Sequence, residues 1–343
     1  MRKRYPQAQL HRPYCVCLGI KTGVCRLWVY KLLVLGAESI TTFQPDTARN
    51  QGMPGLNLSS TSVWFITGCS TGMGREFVLA LLNLGQKVIA TARNIERIRD
   101  LEEAGAAIMS LDVTWSPENL KETAISAIKI YGRVNYLINN AGYACQGAIE
   151  ELTHQETYNL FNTNVFGVLN VTRAFLPHFR ERGSGGIVII SSMASTHYFP
   201  GLTIYAATRA AASMLGEGLR AEVSPLGIDV LSIDLATFRT PALKRDTNLK
   251  RAVQVIPDYK PINDWFDDWR EKLIGNEVND PKLGVLRIIE LITQSGMAVD
   301  RGVPARIPLG KDGRDPLIKR CNDIVEVVEE WSDVICSTAY EAA

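Results

Sequence analysis

The sequence has 343 residues, 46% hydrophobic and 21% charged, the balance of a globular chain long enough to bury one large core or two ordinary ones. Its net charge of +1 hides an asymmetry: residues 1–37 hold seven cations and no acid, which leaves −6 for the rest and no basic run of the kind that binds nucleic acid. The seven cysteines are odd in number and lack a CxxC pair, so they indicate neither a disulfide framework nor a zinc or other metal site, and they fit a reducing compartment.

Residues 1–58 are expected to form an extension ahead of a folded body at 59–343. Their apolar stretch, Val24 to Ile40, is interrupted by Arg26, Lys31 and Glu38, too short and too charged for a clear membrane span. Polar residues follow the cationic start, which argues against a secretory signal. The lack of acids is like that of a mitochondrial presequence; a disordered extension or a misplaced translation start are the alternatives, with the cytoplasm as the expected compartment. Gln44 to Ser60, rich in Gly, Pro, Asn and Ser, reads as the linker into the body.

Ser62 to Thr67 is an apolar run suited to a strand buried on both faces. It runs directly into Gly68-Cys69-Ser70-Thr71-Gly72-Met73-Gly74, then a helical pattern through Phe77, Leu81, Leu82 and Leu84, then a second apolar run from Lys87 to Ala92. Strand, glycine-rich turn, helix and strand within about 30 residues is the dinucleotide-binding start of a doubly wound sheet. Glycines there let backbone N–H groups approach a pyrophosphate at the helix N-terminus, where the dipole favours its charge. The spacing of Thr67, Gly68, Gly72 and Gly74 resembles the TGxxxGxG signature of the short-chain dehydrogenase/reductase family. That resemblance assigns Gly68, Ser70, Thr71, Gly72, Met73 and Gly74 to cofactor binding.

The second strand ends Ala90-Thr91-Ala92-Arg93, without the acid that often holds the adenosine ribose hydroxyls. An acid would repel a 2′-phosphate, whereas a guanidinium pairs with one in bidentate fashion, so Arg93 predicts NADP(H) over NAD(H). A solvated loop arginine is the alternative. An αβ rhythm continues: helix from Ile95 to Glu103, strand from Ala107 to Leu111, helix from Pro117 to Tyr131, fourth strand from Val134 to Ile138. The resemblance places Asp112 and Val113 at the adenine. Asn139-Asn140-Ala141-Gly142 matches the family's NNAG motif, which puts Asn140, Ala141 and Gly142 on the cofactor side.

Residues 154–182 read as one long helix. Asn164 within it matches the helix asparagine that, by resemblance, holds a water in a proton relay; asparagine is mildly unfavourable in a helix interior, and a hydrogen bond inside the core is the competing reason for it. Gly185 to Ser192 gives a fifth strand ending in two serines. Ser192 stands 13 residues before Tyr205, the family's separation, and is therefore preferred to Ser191 for orienting a substrate oxygen. His197, Tyr198 and Phe199 either line a pocket or pack beneath the loop.

Tyr205 and Arg209, four apart on a helix, share one face. A unit charge about 4 Å from a phenol, at an effective dielectric near 20, favours the phenolate by roughly 4 kcal/mol. The resemblance makes Tyr205 the proton donor and Arg209 its cationic partner and a cofactor contact. The family carries Lys where this chain has Arg209, which keeps the charge but has no proton to release near neutral pH. After the sixth strand, Gly227 to Ile233, a second departure follows: Leu235-Ala236 stands where relatives show Pro-Gly, ahead of the loop that carries Phe238 and Thr240 as cofactor contacts.

Beyond Pro241 the family varies its substrate pocket. Trp265, Phe266 and Trp269 suggest either a lid helix over an apolar substrate or ordinary packing. A capped helix follows Asp280, then the segment Val303 to Leu309 with Gly310-Lys311-Asp312, and a final helix through Ile324, Val327, Val328 and Trp331. With Tyr143 after NNAG, this resembles the branch containing 17β-hydroxysteroid and retinol dehydrogenases. The implied fold is α/β, a single Rossmann-type doubly wound parallel sheet flanked by helices, with a variable C-terminal lid. The implied activity is NADP(H)-dependent hydride transfer to or from a small to medium apolar carbonyl or alcohol, in a homodimer or homotetramer. The alternative is a catalytically impaired binding or assembly protein, motivated by Arg209 and Leu235-Ala236.

Overall fold

The apolar run after the linker forms strand β1 (Val63–Ile66), all four residues buried. Its side chains alternate between the two faces: Trp64 and Ile66 enter one core cluster, Val63 and Phe65 the other. Each such burial contributes about 1.5–3 kcal/mol, which explains why a four-residue strand can sit at the centre of a sheet. The structure, a computed structural model, describes residues 61–245 and 247–340; the expected extension at 1–58 lies outside them.

Helix α1 (Gly72–Asn83) leads to β2 (Lys87–Ala92), α2 (Arg99–Glu103), β3 (Ala107–Ser110), α3 (Pro117–Tyr131) and β4 (Tyr136–Asn139). Helix α3 begins as its sequence suggests, with Ser116 accepting from the Asn119 amide and Pro117 in the first turn. A short β5 (Ala144–Gln146) precedes α4 (His154–Phe161) and α5 (Val168–Arg182); then come β6 (Gly185–Ser192), α6 (Thr203–Val223) and β7 (Ile228–Leu235). The last part holds β8 (Leu249–Arg251), α7 (Lys260–Leu273), α8 (Pro281–Thr293), β9 (Arg306–Leu309), α9 (Lys311–Glu330) and α10 (Ser332–Cys336).

Seven parallel strands form one sheet in the order β3-β2-β1-β4-β6-β7-β9, with helices on both faces, the doubly wound α/β arrangement expected. The order reverses between β1 and β4. Connections on either side of that switch point leave in opposite directions and open a crevice at the C-terminal strand ends. One core cluster packs α1 and α8 against the sheet, the other α3, α5 and α6.

The predicted helix 154–182 is helical throughout but not uniform: residues Asn162–Gly167 form a π turn between α4 and α5. The sequence also gave no sign of the two-stranded β5–β8 sheet, which pairs Ala144–Gln146 with Leu249–Arg251 across about a hundred residues.

Candidate active site

Beneath the switch point lies a cavity of about 480 Å³. Its floor is the glycine-rich turn. The hydroxyl of Thr67, at the end of β1, accepts from the amides of Asn140 and Ala141, each at 2.9 Å, and the Asn140 side chain donates back to the carbonyls of Thr67 (2.9 Å) and Gly68 (3.1 Å). These bonds clamp the first turn to the NNAG segment. A Cβ on Gly74 would lie 2.4 Å from the Gly68 carbonyl oxygen and 2.5 Å from the Asn140 amide nitrogen, so glycine is obligatory there. Helix α1 has neither a side-chain cap nor an acid in its first turn, which leaves its leading N–H groups for an anion.

Most sequence-predicted residues open onto this cavity. Gly68, Ser70, Thr71, Gly72 and Met73 line it from the turn, and Asp112 and Val113 from the end of β3; Arg93 stands exposed at its edge. Asn140, Ala141, Gly142, Phe238 and Thr240 line it as well. Gly74 acts from behind, through the close packing just described. The residues fit a dinucleotide: a free helix N-terminus, a turn whose glycines leave its backbone open to a phosphate, and a guanidinium at the rim.

Ser192, Tyr205 and Arg209 also line the cavity. The Ser192 oxygen accepts from the Ala194 amide at 3.2 Å, which leaves its own proton available to another acceptor. Ser191 is buried and faces helix α6: its oxygen lies 3.1 Å from the Arg209 carbonyl and 2.8 Å from the Ser213 hydroxyl. Tyr205 is half-buried, and the Arg209 guanidinium carbon lies over its ring, 5.1 Å from the centroid. Arg209 is itself buried. One terminal nitrogen donates to the Ile190 carbonyl at 3.2 Å, while Nε has no hydrogen-bond partner among the described residues.

Room for this larger cation comes from the NNAG glycine. A Cβ on Gly142 would sit 2.5 Å from the other terminal nitrogen of Arg209, so the two positions are sterically coupled.

Asn164 is fully buried and is not among the residues lining the cavity. Its amide nitrogen donates to the Tyr143 carbonyl (2.9 Å) and the Thr208 hydroxyl (3.0 Å), and its oxygen accepts from the Tyr143 amide (3.1 Å). The core hydrogen bond weighed against a relay role is thus present. It ties the NNAG segment, the π turn and α6 together one residue from Arg209.

The loop lacking Pro-Gly is held by other means. The Ala236 amide extends the β7–β9 ladder to the Leu309 carbonyl at 2.9 Å, Asn279 donates to the Thr237 carbonyl at 2.7 Å, and Asp312 accepts from the Thr237 hydroxyl.

The rest of the cavity lining is aromatic and mixed. Of the loop aromatics, Phe199 lines the cavity while Tyr198 is 81% exposed; of the three on α7, Trp269 lines it, Phe266 is fully buried and Trp265 is half-exposed. Tyr143 and Lys250 also line it, with the Lys250 ammonium 4.6 Å from the Tyr143 ring centroid. Burial pushes the Tyr143 hydroxyl up to about 12, so it stays a neutral phenol at working pH. Tyr143 adjoins a motif that could have flagged it; Lys250 has no such signal, because β8 carries no strand-like pattern.

Among the described residues no group of His, Cys, Asp or Glu could hold a metal ion, and no helix is long and apolar enough to cross a membrane.

Residues 62–250 match the family model described as short chain dehydrogenase. A short-chain dehydrogenase from Streptomyces avermitilis, known from its crystal structure, is 36% identical; the match covers 82% of this chain and 99% of that one, with a TM-score of 0.72. The uncharacterized oxidoreductase YusZ of Bacillus subtilis is 31% identical over 262 residues, 72% of this chain and 88% of that protein. The NADPH-dependent 1-acyldihydroxyacetone phosphate reductase of Schizosaccharomyces pombe is 35% identical over 170 residues, 49% of this chain and 57% of that protein.

Proposed function

The chain belongs to the short-chain dehydrogenase family, and we propose that it is an NADP(H)-dependent oxidoreductase acting on a carbonyl or alcohol of a small to medium apolar substrate. The observation that carries this reading is the meeting, in one cavity, of a glycine-rich anion cradle, the rim guanidinium of Arg93 and the Ser192–Tyr205–Arg209 group. NADPH, when bound, supplies a hydride. The protein's part is to bind, orient and protonate.

Gly68 to Gly74 and the α1 N-terminus would hold the pyrophosphate, and Arg93 the 2′-phosphate. The S. pombe relative's use of NADPH favours the same cofactor. Ser192 would donate its free hydroxyl proton to the substrate oxygen. In reduction the Tyr205 hydroxyl gives its proton to that oxygen as the carbon accepts the hydride; in oxidation it takes the proton back. Arg209 keeps positive charge beside the ring throughout but releases no proton, so Tyr205 must be recharged by a route other than its side chain. Phe199, Leu202, Leu243 and Trp269 offer an apolar wall, which favours an apolar substrate body.

NADPH and NADH binding, followed by turnover on a panel of ketones, aldehydes and alcohols, tests this. Tighter binding of NADPH that is lost in Arg93→Ala supports the cofactor assignment; equal or tighter NADH binding overturns it. Tyr205→Phe should lower kcat by about 10²–10⁴-fold with cofactor affinity retained. NADPH binding without turnover, with activity gained on Arg209→Lys, would make the natural protein a disabled member of its family.

A further inference from the structure

Strand β8 brings a cation to the cofactor cavity from a distant part of the chain. It pairs in parallel with β5, Leu249 opposite Ala144 and Lys250 opposite Cys145, directly after the NNAG segment and Tyr143. Two bonds extend the pairing: the Ala144 amide donates to the Asn248 carbonyl at 2.8 Å, and the Ala252 amide to the Gln146 carbonyl at 2.7 Å. Side chains two apart on an extended segment point the same way. Asn248 and Lys250 accordingly both line the cavity, while Leu249 between them joins the apolar cluster of Leu202 and Phe266. The Asn248 side chain donates to the Thr71 hydroxyl at 3.2 Å, and Thr71 is the residue from which α1 starts. Lys250 stands one strand repeat further along, roughly 7 Å, so this segment reaches from the glycine-rich turn to Tyr143.

The charge of Lys250 is uncommitted. Its ammonium lies 4.6 Å from the Tyr143 ring centroid and makes no ion pair or hydrogen bond among the described residues. A ring face attracts a cation without neutralising it, so the ammonium is positioned but still open to an anion. The carboxylate within range of its charge, Glu156, is held by others: Oε2 accepts from the Thr153 amide (3.0 Å) and hydroxyl (2.7 Å), and Oε1 from the Val253 amide (3.0 Å). Of the acids that line the cavity, Asp112 is bonded to Thr114 and Glu277 to the Gly275 amide.

A second cation serves the same region. Burial raises the Tyr143 hydroxyl, and the positive charge of Arg93 acts on it in the opposite sense. One phenol is therefore near both Arg93, at the end of β2, and Lys250, in β8. An apolar substrate body gives no reason for an ammonium at this place, whereas a dinucleotide brings phosphates into the cavity where the glycine-rich turn, Arg93 and Lys250 meet.

We propose that Lys250 binds a phosphate of the dinucleotide, which makes β8 part of the cofactor site. This rests on the reading that the cavity holds a nicotinamide dinucleotide, though not on which one. Lys250→Met keeps the apolar stem against Tyr143 and removes the charge, whereas Lys250→Arg keeps the charge. By fluorescence titration, NADPH affinity should fall about tenfold in Lys250→Met and return in Lys250→Arg, and the difference should shrink as salt is added. The same titrations with NADH locate the phosphate: a loss confined to NADPH assigns Lys250 to the 2′-phosphate beside Arg93, and an equal loss for both assigns it to the pyrophosphate. Unchanged affinity for both cofactors in Lys250→Met overturns the proposal, and a raised KM for substrates bearing an acid group would then give the lysine to the substrate. A loss that Lys250→Arg does not restore and salt does not alter overturns it too, leaving a packing role. A parent that binds both cofactors equally, with both weakened in Lys250→Met, refutes the NADP(H) assignment alone; a parent that binds neither refutes both readings.

Discussion

The two walls of the cavity are held together by different chemistry. On the cofactor side the latches are neutral: Thr67 with Asn140 and Ala141, and Asn164 with Tyr143 and Thr208. On the opposite side, behind Phe199 and Trp269, they are charged. Glu151, 1% exposed, accepts from the Ala148 amide (2.8 Å), the Ile256 amide (3.0 Å) and the Asn263 side chain (2.9 and 3.0 Å), which fastens α7 to the loop after β5. Asp267 joins Gln146, Arg245 and Arg251. A neutral latch costs little to bury and is indifferent to pH; a charged one is stronger per bond and fails when its charge is lost. The two walls therefore have different sensitivities.

The largest effect should come from the neutral wall. Gly74→Ala places a methyl against backbone on one side and Asn140 on the other, neither of which can yield without opening the clamp. NADPH affinity should fall about 10²-fold, and stability by about 1–3 kcal/mol, measured by fluorescence titration and urea unfolding. Affinity equal to the parent's would mean that the clamp does not shape the cofactor site.

Glu151→Ala attacks the other wall and should cost about 1–3 kcal/mol, because two amides and Asn263 lose a buried acceptor. Hydrogen exchange should quicken in α7 while NADPH affinity stays near the parent's. A matching loss of NADPH affinity would show that the two walls are one cooperative unit and would break the distinction.

The same contrast explains what the sequence made legible. The Gly68–Gly74 turn, Asn140 to Gly142 and the Ser192–Tyr205 spacing are read locally, because each motif is short and its neighbours in sequence are its neighbours in space. The fold class followed from them. The π turn at Asn162–Gly167 did not, since helical periodicity continues through it and its evident partners, Tyr143 and Thr208, come from two other segments. Nor did the charged wall: Glu151 meets Asn263 across 112 residues, and neither residue type announces a partner at that distance. Arg209 was visible as a departure from its family, but its accommodation over Gly142 required the packing.

The smallest effect is a pH dependence confined to the charged wall. Burial by itself would raise the Glu151 carboxyl, but hydrogen bonds from Asn263 and from the Ala148 and Ile256 amides outweigh it and hold the group below the ordinary carboxylate range. Its contribution to stability is therefore complete above the unfolded-state value, about 4.3 for a glutamate, and is lost as pH falls through the lower folded-state value. Glu151→Gln cannot titrate, and its amide sets donors against the donors that the carboxylate accepts from. The stability difference between parent and Glu151→Gln should stay constant from pH 7 to about 5 and shrink toward acid. Parallel urea series at several pH values measure it. A difference that persists undiminished well below the carboxylate range would place the role of Glu151 in its shape rather than its charge, and would leave Asp267 to account for any acid sensitivity of this wall.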